Sequence, residues 1–65
     1  MIKVNNWEQE YTTGMTIEDL LKRNNYIFPG LVIKLNGRVI EDDERESTII
    51  SDGDDVKVIH ICHGG

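Results

Sequence analysis

The C-terminal pair Gly64-Gly65 offers the most clearly defined chemistry in this 65-residue chain. Glycine has no Cβ atom, so two consecutive glycines make a narrow segment that can enter a channel and approach another backbone closely. The α-carboxyl group of Gly65 is ionised at neutral pH, and a carboxylate resists nucleophilic attack because attack would add negative charge to it. The tail could therefore donate its acyl group only after an enzyme had activated it.

Three further side chains near the C-terminus could do chemistry, namely His60, Cys62 and His63. A cysteine and a histidine can act as nucleophile and base, but such a pair needs a third orienting group within a shaped pocket. Three ligands at this spacing are a weak zinc signal, because structural zinc sites use four. We therefore predict no metal site, a small half-buried Cys62 and histidines at a strand edge.

The composition favours a small carrier or binding module over an enzyme. A chain of about 60 residues buries only roughly 60% of its unfolded surface, whereas ligand sites occupy pockets of about 300 to 1,000 Å³. The net charge of -5 repels phosphate backbones, so we expect a protein partner with basic groups and no nucleic acid. A single cysteine, no signal-peptide pattern and no apolar run of ~20 residues predict a cytoplasmic protein without a membrane segment.

Turn signals divide the chain into a hairpin, a helix, a second hairpin and a final strand. Thr16 is a helix N-cap candidate with Asp19 at the capping-box position, and Asn24-Asn25 should end the helix. Asn36-Gly37 is the strongest short hairpin signal in the chain. A charged loop is expected over 41–47. The predicted strands cover residues 1–4, 7–12, 31–35, 38–40 and 56–62.

A hairpin followed by a helix leaves the helix one sheet face to cover. This order predicts a two-layer α+β domain, with a mixed four- to five-stranded sheet and one helix packed on one face. We place the domain at residues 1–62 and a flexible Gly-Gly tail at 63–65, since no linker or repeat interrupts the chain.

Strand alternation predicts which side chains remain on the uncovered sheet face. If Val56 and Val58 lie under the helix, Ile59 and Ile61 point away from it. Exposed branched side chains beside a lysine are typical of a docking surface. The predicted partner-binding residues are Lys34, Lys57, Ile59, Ile61 and His63.

This arrangement resembles the ThiS/MoaD family of ubiquitin-like β-grasp sulfur carriers, and within it the ThiS carriers of thiamine biosynthesis. The resemblance spans essentially the whole chain. Its most specific parts are residues 16–21 (TIEDLL), Leu35-Asn36-Gly37, Asp52-Gly53-Asp54 and Gly64-Gly65.

Two segments depart from the pattern of that family. Glu41-Asp42-Asp43 follows the second hairpin where the family commonly has a Pro-Arg pair, and Asn5-Asn6 forms the first turn where Asn-Gly is common. These differences affect partner docking more than the chemistry of the terminal carboxylate.

The resemblance implies a co-substrate rather than an enzyme. A ThiF-like adenylyltransferase would join the Gly65 carboxylate to AMP from ATP, and sulfur from a persulfide donor would displace the AMP to leave a thiocarboxylate. A ThiG-like thiazole synthase would then take the sulfur. Gly64 would serve as the spacer of the tail, and the carrier itself would bind no cofactor.

Two other functions remain open at this point. The chain could carry sulfur for another pathway, such as molybdopterin synthesis, cysteine synthesis or tRNA thiolation, or could be a ubiquitin-like modifier. It could also be an interaction module with an inert tail.

Overall fold

The computed structural model describes residues 1–26 and 30–60. Within these residues, one α-helix and five strands form a two-layer α+β domain, which confirms the predicted architecture. The elements are β1 Ile2–Val4, β2 Trp7–Gln9, α1 Ile17–Arg23, β3 Leu31–Leu35, β4 Arg38–Ile40 and β5 Asp55–His60, with a 3₁₀ helix at Asp42–Glu44.

The last strand lies at the centre of the sheet. The strand order is β2-β1-β5-β3-β4. β5 runs parallel to β1 and antiparallel to β3, so the sheet is mixed. The strand that leads toward the C-terminus is therefore held from both sides.

The helix forms where the sequence predicts it, because its first turn is capped from both directions. The backbone N–H of Asp19 donates to Thr16 Oγ1 at 3.2 Å, and the backbone N–H of Thr16 donates to Asp19 Oδ2 at 3.1 Å. Asn24 closes the last turn by donating its backbone N–H to the carbonyl oxygen of Leu20. These bonds satisfy polar groups that a helix end otherwise leaves to solvent.

Replacing Thr16 by alanine should therefore lower the free energy of unfolding by about 1 kcal/mol. The physical reason is the loss of the hydroxyl acceptor for the backbone N–H of Asp19. Urea denaturation followed by circular dichroism measures the effect, with exposed Thr13→Ala as the matched control. Equal midpoints for the two variants would contradict the capping interpretation.

The same contacts shift the titration of the Asp19 carboxyl group. Hydrogen bonds from the Thr16 backbone and then from its side chain lower the pKa of Asp19. A lowered folded-state pKa means that this stabilisation is present above the ordinary pKa of an aspartate. It is lost as the pH falls through the lower value in the folded state.

The core lies between the helix and one sheet face. Ile17, Leu20 and Leu21 are the buried positions of α1, and Val56 and Val58 belong to the same apolar cluster. The other buried members are Ile2, Val4, Met15, Leu31, Ile33, Ile40 and Ile50. The predicted alternation of β5 is therefore confirmed, with the valines facing the helix and Lys57 and Ile59 facing away.

The first strand begins at Ile2 instead of residue 1, and three other predicted segments also differ from the structure. The second strand ends at Gln9 instead of residue 12, because β1 offers it only the partners Ile2 to Val4. The charged loop contains the 3₁₀ helix Asp42–Glu44, which is closed by reciprocal contacts between Glu41 and Glu44. The last strand begins at Asp55 and is described to His60, so residues 61–62 of its predicted extent lie outside the described residues.

The segment after β4 ties the helix to the sheet. The backbone N–H of Glu18 donates to the carbonyl oxygen of Arg45 at 2.9 Å. Arg45 donates from Nη2 to the carbonyl oxygen of Leu31 at 2.9 Å and forms an ion pair with Asp42 at 3.0 Å.

The described residues contain no helix that is long and apolar enough to span a membrane.

Candidate functional site

The open sheet face brings together three of the predicted partner-binding residues. Lys34 on β3 lies directly opposite Lys57 on β5, and Ile59 follows two positions later on the same face. Side chains that are directly opposite in an antiparallel pair lie on the same side of the sheet. The predicted clustering of Lys34, Lys57 and Ile59 is therefore what the register produces.

Two further apolar residues lie beside these three on the open face. Val32 pairs with Ile59, and Val39 on β4 pairs with Lys34. Val39 is 47% exposed and Ile59 is 44% exposed. We call this surface the open-face patch; it consists of Val32, Lys34, Val39, Lys57 and Ile59.

The open-face patch is positively charged although the chain as a whole is acidic. Lys57 Nζ donates to Asn6 Oδ1 at 2.6 Å and lies 3.9 Å from Asp55 Oδ1. Like charges directly opposite each other on a sheet are destabilising. Lys34 and Lys57, which face each other, therefore contribute a small repulsion to the fold.

The net charge of the chain predicted a partner with basic groups. The open-face patch has the opposite charge and therefore calls for acidic groups on whatever protein covers it. A protein that covers Lys34 and Lys57 must present acidic groups opposite them, with apolar groups opposite Ile59. The acidic residues of the 3₁₀ helix at Asp42–Glu44 follow β4 and are not among the five residues of this patch.

The remaining predicted site residues lie outside the described part of the chain. They are Ile61, Cys62, His63, Gly64 and Gly65. The described residue nearest to them is His60, which ends β5 opposite Leu31. Their predicted roles stay predictions, including the flexible tail at 63–65.

Two of the shallow cavities among the described residues are well defined, and neither is lined by the open-face patch. One, of about 220 Å³, is lined by Thr12 to Met15, Asp19 and Arg23. The other, of about 380 Å³, is lined by Met1, Ile2, Lys3, Glu8, Gly53 and Asp55. The second cavity lies at the beginning of β5, at the opposite end of that strand from His60. In residues 1–26 and 30–60, no three His, Cys, Asp or Glu side chains are grouped so as to hold a metal ion.

Sequence reasoning missed Val32 and Val39 as members of this surface. The two-residue turn Asn36-Gly37, in which both residues have positive φ, sets the β3–β4 register and so could have identified Val39. Val32 could not have been placed beside Ile59 in this way, because no local signal encodes the pairing of β3 with β5.

Comparison with known proteins gives one family and one fold. The sequence model of the ThiS family matches residues 2–65. A crystal structure of thiamine biosynthesis protein ThiS from Geobacter metallireducens superposes with a TM-score of 0.81 at 24% identity, over 98% of this chain and 97% of that one. A solution structure of a thiamine biosynthesis protein from the same organism gives a TM-score of 0.77 at 24% identity, over 98% and 86%. At this identity the two structures establish the shared β-grasp fold.

Proposed function

Because this chain belongs to the ThiS family, we propose that it is a sulfur carrier of thiamine biosynthesis, with sulfur held as a thiocarboxylate on Gly65. One observation carries the proposal. The family match extends over residues 2–65 and thus includes the terminal Gly64-Gly65 as well as the folded domain. The carrier is a co-substrate and has no catalytic activity of its own.

The chemistry begins at an unreactive carboxylate. A ThiF-like adenylyltransferase transfers AMP from ATP to the Gly65 carboxylate and releases pyrophosphate. The terminal sulfur of a persulfide donor then attacks the acyl carbon and AMP leaves, which gives an acyl disulfide. A thiol attacks the donor sulfur of that disulfide, so the thiocarboxylate departs and a new disulfide remains on the donor side. A ThiG-like thiazole synthase consumes the thiocarboxylate.

The described domain supports this role because it holds the strand that precedes the tail. β5 is central in the sheet and ends at His60, and five residues follow it to Gly65. An extended chain of that length spans at most roughly 18 Å. The end of the tail can thus reach a recessed active site while the open-face patch contacts the surface of the activating enzyme.

The patch yields a prediction in which stability and docking change in opposite directions. Lys34→Glu places a carboxylate opposite Lys57 and replaces a repulsive pair by an attractive one. We expect the free energy of unfolding to rise by roughly 0.2 to 1 kcal/mol. The KM of the adenylating enzyme for the carrier should rise about tenfold, because a charge at the interface is reversed.

Denaturation and pyrophosphate-release kinetics measure the two quantities. The control is Lys22→Glu, which reverses an exposed charge on α1, on the other side of the sheet. An unchanged KM for Lys34→Glu would remove the open-face patch from the docking surface.

Intact-mass spectrometry tests the proposed function. The carrier is incubated with the cognate adenylating enzyme, ATP, a persulfide donor and a thiol reductant. Replacement of one C-terminal oxygen by sulfur is expected, and thiazole synthase with its other substrates should restore the original mass. No mass change in the first step would overturn the proposal.

The same experiment separates the other functions. A thiocarboxylate that thiazole synthase does not consume would indicate a carrier for another pathway, such as molybdopterin synthesis, cysteine synthesis or tRNA thiolation. An isopeptide bond to lysine in cell extract would indicate a ubiquitin-like modifier. An unmodified chain in both reactions would indicate an interaction module with an inert tail.

A further inference from the structure

We propose that Asn5 is a positioning residue whose side-chain amide fixes the C-terminal half of β5. Its Oδ1 accepts from the backbone N–H of Val58 at 2.8 Å, and its Nδ2 donates to the carbonyl oxygen of Val58 at 3.2 Å. Both bonds are partly buried and join residues that are 53 positions apart in the chain. One side chain therefore satisfies both main-chain polar groups of a single residue of β5.

The amide takes the place of a strand residue that is absent. β1 ends at Val4, which pairs with Val56, and the backbone N–H of Asn5 donates to the carbonyl oxygen of Val56 at 2.9 Å. The next position of the ladder on β5 is Val58, but the main chain turns away at Asn5, where φ is 51°. A carboxamide carries the same donor and acceptor as a peptide group, so it can continue the ladder by one position.

Few residue types could do both tasks. Left-handed backbone angles favour glycine and asparagine. Glycine would permit the turn without bonding Val58, whereas aspartate would keep the acceptor but set a negative charge against the carbonyl oxygen of Val58. The departure of this chain from the Asn-Gly turn common in the family leaves Asn5 itself in place.

The same turn also reaches the docking surface. Asn6 Oδ1 accepts from Lys57 Nζ at 2.6 Å, so consecutive asparagines contact consecutive residues of β5. Val58 lies two positions before His60, where the described part of β5 ends. The turn thereby holds β5 from the side opposite β3, two residues before its described end, and contacts one lysine of the open-face patch. The functional part of this inference rests on the proposed function, because it requires that the tail be presented to an enzyme.

Hydrogen exchange of individual amides, measured by NMR, tests the contact. In Asn5→Gly, which retains the turn conformation, exchange of the Val58 N–H should accelerate about tenfold or more, since two hydrogen bonds are lost. The Lys3 N–H, which donates to the carbonyl oxygen of Asp54 at 3.0 Å, serves as the internal reference. Asn25→Gly is the matched control, because Asn25 also has positive φ but lies after α1. Equal acceleration at Val58 and Lys3 would reduce Asn5 to a general stabiliser and overturn the proposal.

Kinetics with the adenylating enzyme then distinguish positioning from stability. At a temperature where both proteins are fully folded, Asn5→Gly should raise the KM for the carrier roughly fivefold and leave kcat within about twofold. Asn25→Gly should change neither. An unchanged KM for Asn5→Gly overturns the positioning role. If the wild-type chain forms no adenylate, the proposed function fails. The inference is then tested by the backbone NMR order parameters of Ile59 and His60, which should be lower in Asn5→Gly than in the wild type. Order parameters that are the same in both proteins would overturn it.

Discussion

Replacing Gly64 by valine should abolish adenylation of Gly65 while leaving the domain folded. A branched side chain widens the tail next to the reacting carboxylate and restricts the backbone angles that glycine permits. Misplacing a reacting group by about 1 Å can cost roughly a hundredfold in rate, so we expect kcat/KM for adenylation to fall by at least that factor. Pyrophosphate release with the cognate adenylating enzyme measures the loss.

The control for that variant carries the same side chain elsewhere. Glu46→Val adds a valine at an exposed position of the segment after β4 and should leave adenylation unchanged. Circular dichroism and the urea midpoint should be the same for Gly64→Val and the wild type. A chain that lacks Gly64-Gly65 should likewise fail to rescue a deletion strain. Normal adenylate formation by Gly64→Val would contradict the role assigned to the tail.

Replacing Leu20 by alanine should bring the domain close to unfolding under ordinary conditions. Leu20 is fully buried in the cluster between α1 and the sheet. A buried leucine truncated to alanine costs about 2 to 5 kcal/mol, whereas a chain of this length has a total stability of roughly 3 to 10 kcal/mol. Alanine is the best helix former, so the loss reports packing and not helix propensity.

Thermal and urea denaturation of Leu20→Ala provide the measurement. Lys22→Ala is the matched control, since Lys22 is an exposed residue of the same helix and its truncation should change stability by less than about 0.5 kcal/mol. A loss below about 1 kcal/mol for Leu20→Ala would mean that the core collapses to fill the space. The adenylation kinetics of folded Leu20→Ala should remain near those of the wild type, because Leu20 lies on the face opposite the open-face patch.

Local signals in the sequence predicted the elements that depend on neighbouring residues. The helix cap at Thr16 and Asp19 joins groups three positions apart, and the Asn36-Gly37 turn sets the pairing of β3 with β4 directly. Alternation along β5 correctly separated Val58 from Ile59. The predicted second strand was too long, because the length of an edge strand is limited by its neighbour and β1 has three residues.

The candidate site, too, was predicted in part from the sequence, whereas the rest of it required the structure. Lys34, Lys57 and Ile59 were identified from the sequence as members of one face, since alternation determines the side of each strand. The antiparallel register of β3 and β5 decides which of these residues face each other. It places Lys34 opposite Lys57 and Val32 opposite Ile59. The residues Ile61, His63, Gly64 and Gly65 remain predictions from the sequence and the family.

The sequence by itself determined the turns, the capped helix and the two sides of β5, because each depends on residues that are close together in the chain. The diglycine at 64–65 is read directly from the sequence. Only the tertiary structure decided that β5 lies between β1 and β3, which lysines oppose each other and that Asn5 bonds to Val58. These contacts join residues that are distant in the chain. Their register depends on how the helix and the sheet bury the common core, which no short segment encodes.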